Sequence, residues 1–121
     1  MPDRPNLEAL FTAIDRKDVV EFARFLAPDC FFRFGGGAPV VGREAIAEAV
    51  AGFFGAVGDL SHRLIDWWPV EAGLVCHGMV RYTRLDGSAL EAPFSNVLYL
   101  TDSGLIRQYL IFTDNSALFA A

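Results

Sequence analysis

Leu74-Val75-Cys76-His77-Gly78-Met79-Val80-Arg81-Tyr82-Thr83 and Pro93-Phe94-Ser95-Asn96-Val97-Leu98-Tyr99-Leu100 are two runs rich in β-branched and aromatic residues, with Asp86-Gly87 between them. Asp-Gly between such runs marks a hairpin, because glycine takes a positive φ without steric cost. Before the pair, across Glu71-Ala72-Gly73, lies His62-Arg63-Leu64-Ile65-Asp66-Trp67-Trp68. After it, across Asp102-Ser103-Gly104, lies Leu105-Ile106-Arg107-Gln108-Tyr109-Leu110-Ile111-Phe112-Thr113. The stretch from about Ser61 to Asp114 therefore reads as one curved antiparallel sheet.

The first half supplies helices to cover that sheet. After Asn6, a plausible N-cap, Leu7, Leu10, Phe11 and Ile14 fall at helical spacing. Asp15-Arg16-Lys17 breaks the stripe. Asp18 caps a second helix, with Glu21 completing a capping box and Val19, Phe22, Phe25 and Leu26 on its buried side. Pro28 is expected to end it. Cys30-Phe31-Phe32-Arg33-Phe34 reads as a strand, Gly35-Gly36-Gly37 as a turn, and Pro39-Val40-Val41 as a short returning strand. Gly42 precedes a third helix with Ile46, Ala49, Val50, Phe53 and Phe54 on one face. Helices gathered on one side of an antiparallel sheet make an α+β fold, here a single domain over residues 1–121.

The hydrophobic share is 53%, and Phe alone numbers 11. That is more apolar surface than one small core needs, so a lined cavity, an oligomer interface, or both are expected. Lys and Arg total 10 against 15 Asp and Glu, a net charge of −5. This balance excludes a nucleic-acid partner, which needs a basic patch. Met1-Pro2-Asp3-Arg4-Pro5 has no apolar run of the kind an export signal needs. No stretch approaches 18 uninterrupted apolar residues, so no membrane span is expected. Cys30 and Cys76 lack metal-ligand spacing and read as free thiols in a reducing cytoplasm. No cofactor or metal site is expected. Gly37-Ala38-Pro39-Val40-Val41-Gly42 has the glycine spacing of a phosphate loop, but Arg43-Glu44 follows instead of Lys-Ser/Thr.

Four segments together resemble the SnoaL-like branch of the nuclear transport factor 2-like superfamily. They are Leu26-Ala27-Pro28-Asp29-Cys30; Val41-Gly42-Arg43-Glu44-Ala45-Ile46; Arg81-Tyr82-Thr83-Arg84-Leu85-Asp86-Gly87 with Ala92-Pro93-Phe94; and Gly104-Leu105-Ile106-Arg107-Gln108-Tyr109 with Asp114. The resemblance implies a cone: a bent sheet wrapped round the helices, an apolar pocket inside, and a homodimer through the outer sheet face. It also implies isomerases, cyclases, epoxide hydrolases and non-catalytic binders as relatives, so fold does not fix function. The acid–base positions of ketosteroid isomerases fall near Phe34, Ser95 and Phe11. The charged positions of epoxide hydrolases fall near Val80, Tyr82 and Ile111. The carboxylates of both sites are thus replaced.

On the hairpin Val80 and Tyr82 share a face, as do Ser95, Val97 and Tyr99 on the next run. On the last run Arg107, Tyr109, Ile111 and Thr113 share one. Resemblance assigns the Tyr82 face to the pocket, giving Phe11, Phe34, Val80, Tyr82, Ser95, Val97, Tyr109 and Ile111 as expected lining. Tyr82, Tyr109 and His62 are the candidate acid–base or hydrogen-bonding groups. Asp66 shares a strand with His62, but four residues at ~3.3 Å each put them ~13 Å apart, too far for a direct bond. An acid on another strand is the remaining candidate orienter for His62. Trp67 and Trp68 read as core and interface residues, and Asp114 as a cap at the sheet end.

The expected partner is a small apolar molecule bearing a carbonyl or a ring. Three functions are compatible with this reading: an isomerase or cyclase moving protons, a non-catalytic carrier or sensor, and a protein-interaction module using the outer sheet face.

Overall fold

The computed structural model describes residues 6–114 and 116–118. The segment Met1–Pro5, read above as lacking an export signal, lies outside the described residues. Helix α1 (Leu7–Asp15) starts where Asn6 accepts from the Ala9 amide at 3.1 Å, and it buries Leu7, Leu10, Phe11 and Ile14. Helix α2 (Val19–Ala23) starts where Asp18 accepts from the Glu21 amide. These caps meet the first orphan donors of each helix.

Strand β1 (Leu26–Phe34) begins earlier than expected. Leu26 belongs to it and not to α2, and Pro28 lies within the strand. The reason is a partner late in the sequence. The Ile106 amide donates to the Phe25 carbonyl at 2.8 Å, and Leu26 registers with Ile106. Proline, which cannot donate to a ladder, sits where the register shifts between Leu26 and Phe31. Then follow β2 (Val40–Val41), α3 (Arg43–Ala56), β3 (Asp59–Val70), β4 (Gly73–Thr83), β5 (Ala89–Leu100) and β6 (Ile106–Thr113).

The six strands form one curved, unclosed sheet in the order β2-β1-β6-β5-β4-β3. Only the β1–β6 pair is parallel. Curvature has a local source. The β3–β4 register shifts between Leu64 and Asp66, an extra residue that bends the strand. Gly78 lies opposite Leu64, and a Cβ there would run into the Arg63 carbonyl. The helices fill the concave side. Arg43 forks onto the Leu26 carbonyl, holding the start of α3 to β1. Lys17, in a left-handed turn after α1, donates to the Val57 and Gly58 carbonyls at 2.7 and 2.9 Å and ties the end of α1 to the end of α3.

Even-numbered residues of β4 and β5 face this core: Leu74, Cys76, Val80, Tyr82, Ala92, Phe94, Asn96 and Leu98 are all buried. The odd-numbered set, including Val75, His77, Met79, Ser95, Val97 and Tyr99, faces the other way and is half-buried. Among the described residues no helix is long and apolar enough to cross a membrane.

Candidate functional site

The concave side encloses a cavity of about 220 Å³. Its walls are mainly apolar: Phe22, Phe32, Phe34, Phe53, Phe54 and Ile111 contribute, with Ile14 and Leu60. The polar side chains at the wall are His62, Tyr82, Asn96 and Tyr109.

His62 is the best-anchored of these. Its Nδ1 lies 2.6 Å from Asp15 Oδ1, and its backbone amide donates to Asp15 Oδ2 at 2.9 Å. One carboxylate thus fixes both the ring and the strand that carries it. A carboxylate only accepts, so Nδ1 carries the proton in the neutral ring and Nε2 keeps the free lone pair. Phe11 packs against the imidazole at 4.9 Å between ring centroids, and Phe94 meets it edge-on at 5.2 Å.

Asp15 is the last residue of α1, whose final turn has no basic residue. An acid there opposes the helix macrodipole, so helix formation alone does not account for it. The orienting acid that Asp66 could not supply comes from this helix end. Position against the dipole was the signal in the sequence that could have found it.

The tyrosines are donors. Burial pushes the Tyr82 hydroxyl up to about 12. It pushes Tyr109 up as well, helped by negative charge that the neighbouring Cys76 and Cys30 would carry. Both therefore stay protonated under ordinary conditions. Tyr82 stands edge-on to Phe53, and Tyr109 packs between Phe22 and Phe32. Desolvation likewise lifts the Cys30 and Cys76 thiols to about 12 and about 11, which keeps them poor nucleophiles. No group of three or more His, Cys, Asp or Glu suited to a metal occurs among the described residues.

Of the expected lining, Phe34, Val80, Tyr82, Tyr109 and Ile111 do line the cavity, with His62. Phe11 stands behind His62 as packing. Ser95 and Val97 do not line it. The turn after β4 has five residues, Arg84 to Ser88, and it pairs Tyr82 with Leu90 and Cys76 with Asn96. Phe94 and Asn96 consequently face the cavity, while Ser95 and Val97 face outward. Asn96, on the face opposite to Ser95 and Val97, is 2% exposed. Asp114 receives the Ser116 amide and hydroxyl at the sheet end, at 3.1 and 2.7 Å.

A model of the SnoaL-like domain matches residues 7–109. The chain belongs to this SnoaL-like family. Solved structures agree in fold at low identity. TerC co-crystallised with polyporic acid superposes with a TM-score of 0.80 at 18% identity, over 93% of this chain and 91% of that one. A putative polyketide cyclase from Xanthomonas campestris pv. campestris gives 0.81 at 16% identity, over 93% and 90%. A hypothetical protein with a ketosteroid isomerase-like fold from Catenulispora acidiphila, in complex with trimethylamine, gives 0.81 at 13% identity, over 91% and 86%. The chain has no match among curated proteins.

Proposed function

We propose that this SnoaL-like protein is an acid–base enzyme that isomerises or cyclises a small, mainly apolar carbonyl compound through an enolate. The observation that carries the proposal is the His62–Asp15 pair at the wall of a mainly apolar cavity. Imidazole is the commonest general base because it exchanges a proton near neutral pH. With Nδ1 held by Asp15, Nε2 takes a proton from the carbon beside the substrate carbonyl. The C–H electrons pass into the enolate, whose oxygen receives a hydrogen bond from Tyr82 or Tyr109. Asp15 stabilises the imidazolium that forms. In an enolate conjugated with a double bond the proton then returns to a different carbon; otherwise the enolate carbon attacks a second carbonyl of the same molecule, and the imidazolium gives its proton to the alkoxide formed. Apolar walls strengthen each of these interactions by excluding water.

The protein acts as a homodimer through the outer sheet face in this reading. Support comes from Trp68 and Phe112, 48% and 56% exposed, on a face that also carries half-buried Val75, Met79, Val97, Tyr99 and Leu110. Free Cys30 and Cys76 suit a reducing cytoplasm.

The test is solvent deuterium exchange, followed by NMR, at the carbon next to the carbonyl in a set of one- and two-ring ketones. The wild type accelerates exchange in at least one of them. Asp15→Asn, which removes the charge behind His62, slows it by about 10²-fold or more with ligand affinity retained. A ketone that binds in the cavity and shows no accelerated exchange overturns catalysis and leaves a carrier.

A further inference from the structure

Asn96 brings to the cavity wall a buried polar atom that the fold does not use. Its Oδ1 is buried and has no hydrogen-bond partner among the described residues. Its neighbours across the ladders are Cys76, whose sulfur accepts from the Asn96 backbone amide, and Ile111, and neither pairs with Oδ1. A buried acceptor left unpaired destabilises the protein that carries it, and it is retained where something outside the chain completes it. Rotating the amide by half a turn only changes which end is orphaned.

We infer that Asn96 is the specificity determinant of the cavity and selects ligands that carry a hydroxyl group. This rests on the enolate chemistry proposed above for placing the carbonyl, but not for the hydroxyl. A hydroxyl both donates and accepts, so it completes either orientation of the amide; a bare carbonyl cannot satisfy Oδ1. Two further features bound the class. Among the described residues no Lys or Arg lines the cavity, which favours a neutral ligand. The volume of about 220 Å³ exceeds a ~150 Å³ cavity that holds benzene and is smaller than the ~300 Å³ lower limit for drug-sized ligands. The occupant is therefore a one- or two-ring hydroxy-carbonyl compound. His62 lies on β3 opposite Val80, and Asn96 on β5 opposite Cys76, so the two groups address separated points of the molecule.

The experiment compares tetralone with its ring-hydroxylated analogues by calorimetric titration, and it measures the thermal midpoint of the ligand-free proteins. The wild type binds at least one hydroxytetralone about tenfold or more tighter than tetralone. Asn96→Leu abolishes that preference and leaves tetralone affinity within about threefold. Ligand-free Asn96→Leu unfolds at or above the wild-type midpoint, because an orphan has been removed. Asn96→Ala, which cannot overpack, gives the same selectivity reading should the leucine variant not fold. A preference that survives both substitutions, equal binding of tetralone and all its hydroxylated forms, or no binding by any of them overturns the inference. So does a midpoint lowered by several degrees in both variants, which makes Asn96 structural. Exchange that fails while the hydroxyl preference holds sinks the enolate chemistry alone.

Discussion

The two faces of the β3–β6 sheet are built from the same strands and both carry apolar side chains, yet their polar groups differ. Inside, the few polar groups each have a distinct state: His62 is tethered to Asp15, Tyr82 and Tyr109 are held protonated, and Asn96 Oδ1 is unpaired. Outside, polar and apolar residues mix at half-burial, with the Trp68 ring stacked flat on His77 at 5.5 Å and the Arg107 guanidinium over Tyr99. Apolar residues alone do not mark the cavity face. The enforced state of its polar groups does.

The sharpest way to break the comparison is to flatten the sheet. Gly78→Val drives a side chain into the Arg63 carbonyl at the bulge. The expected loss is about 4 kcal/mol or more, read as collapse of the urea midpoint. A variant that unfolds like the wild type would show that curvature does not depend on this position.

Alkaline pH attacks the inner face selectively. Tyr82, Tyr109, Cys30 and Cys76 all hold their protons longer when folded than when unfolded. Their contribution is complete below about pH 9 and falls as pH rises toward 12, since the unfolded chain ionises first. Tyr82 alone accounts for roughly 3 kcal/mol at the top of that window. Urea midpoints taken across it should fall steeply, and less steeply in Tyr82→Phe. Equal slopes for the two proteins would remove Tyr82 from the account.

A matched pair is the finest probe. Val80→Thr puts a hydroxyl into a fully buried inner position and costs about 1–3 kcal/mol. Val97→Thr makes the same change outside. In dilute protein it costs about 0.5 kcal/mol or less, with a larger loss at high concentration if the face pairs with a second copy. Equal, concentration-independent losses at both sites would erase the distinction between the faces.

Element order and fold class were legible because turn residues and periodicity are local. Face assignment on β5 was not, because it depends on loop length. An odd number of turn residues keeps even positions together on β4 and β5, and one residue fewer would have set Ser95 and Val97 inside. With both faces apolar, composition could not arbitrate. The partner of His62 was hidden by distance, since Asp15 lies 47 positions away. Its trace was an acid at a helix end that the dipole disfavours. Asn96 left no trace, because an unpaired amide looks like any other asparagine until its surroundings are known.

The parallel seam between β1 and β6 has a temporal meaning. It joins Phe32 to Tyr109 and Phe34 to Ile111, pairs far apart in the sequence. The β3–β6 meander closes through short turns, but this seam must wait for a long loop to close. On the ribosome, β1 emerges early and stays unpaired on that edge until the last strand is synthesised. The cavity is thus sealed last, and until then the aromatic wall of β1 is the segment most exposed to misassociation.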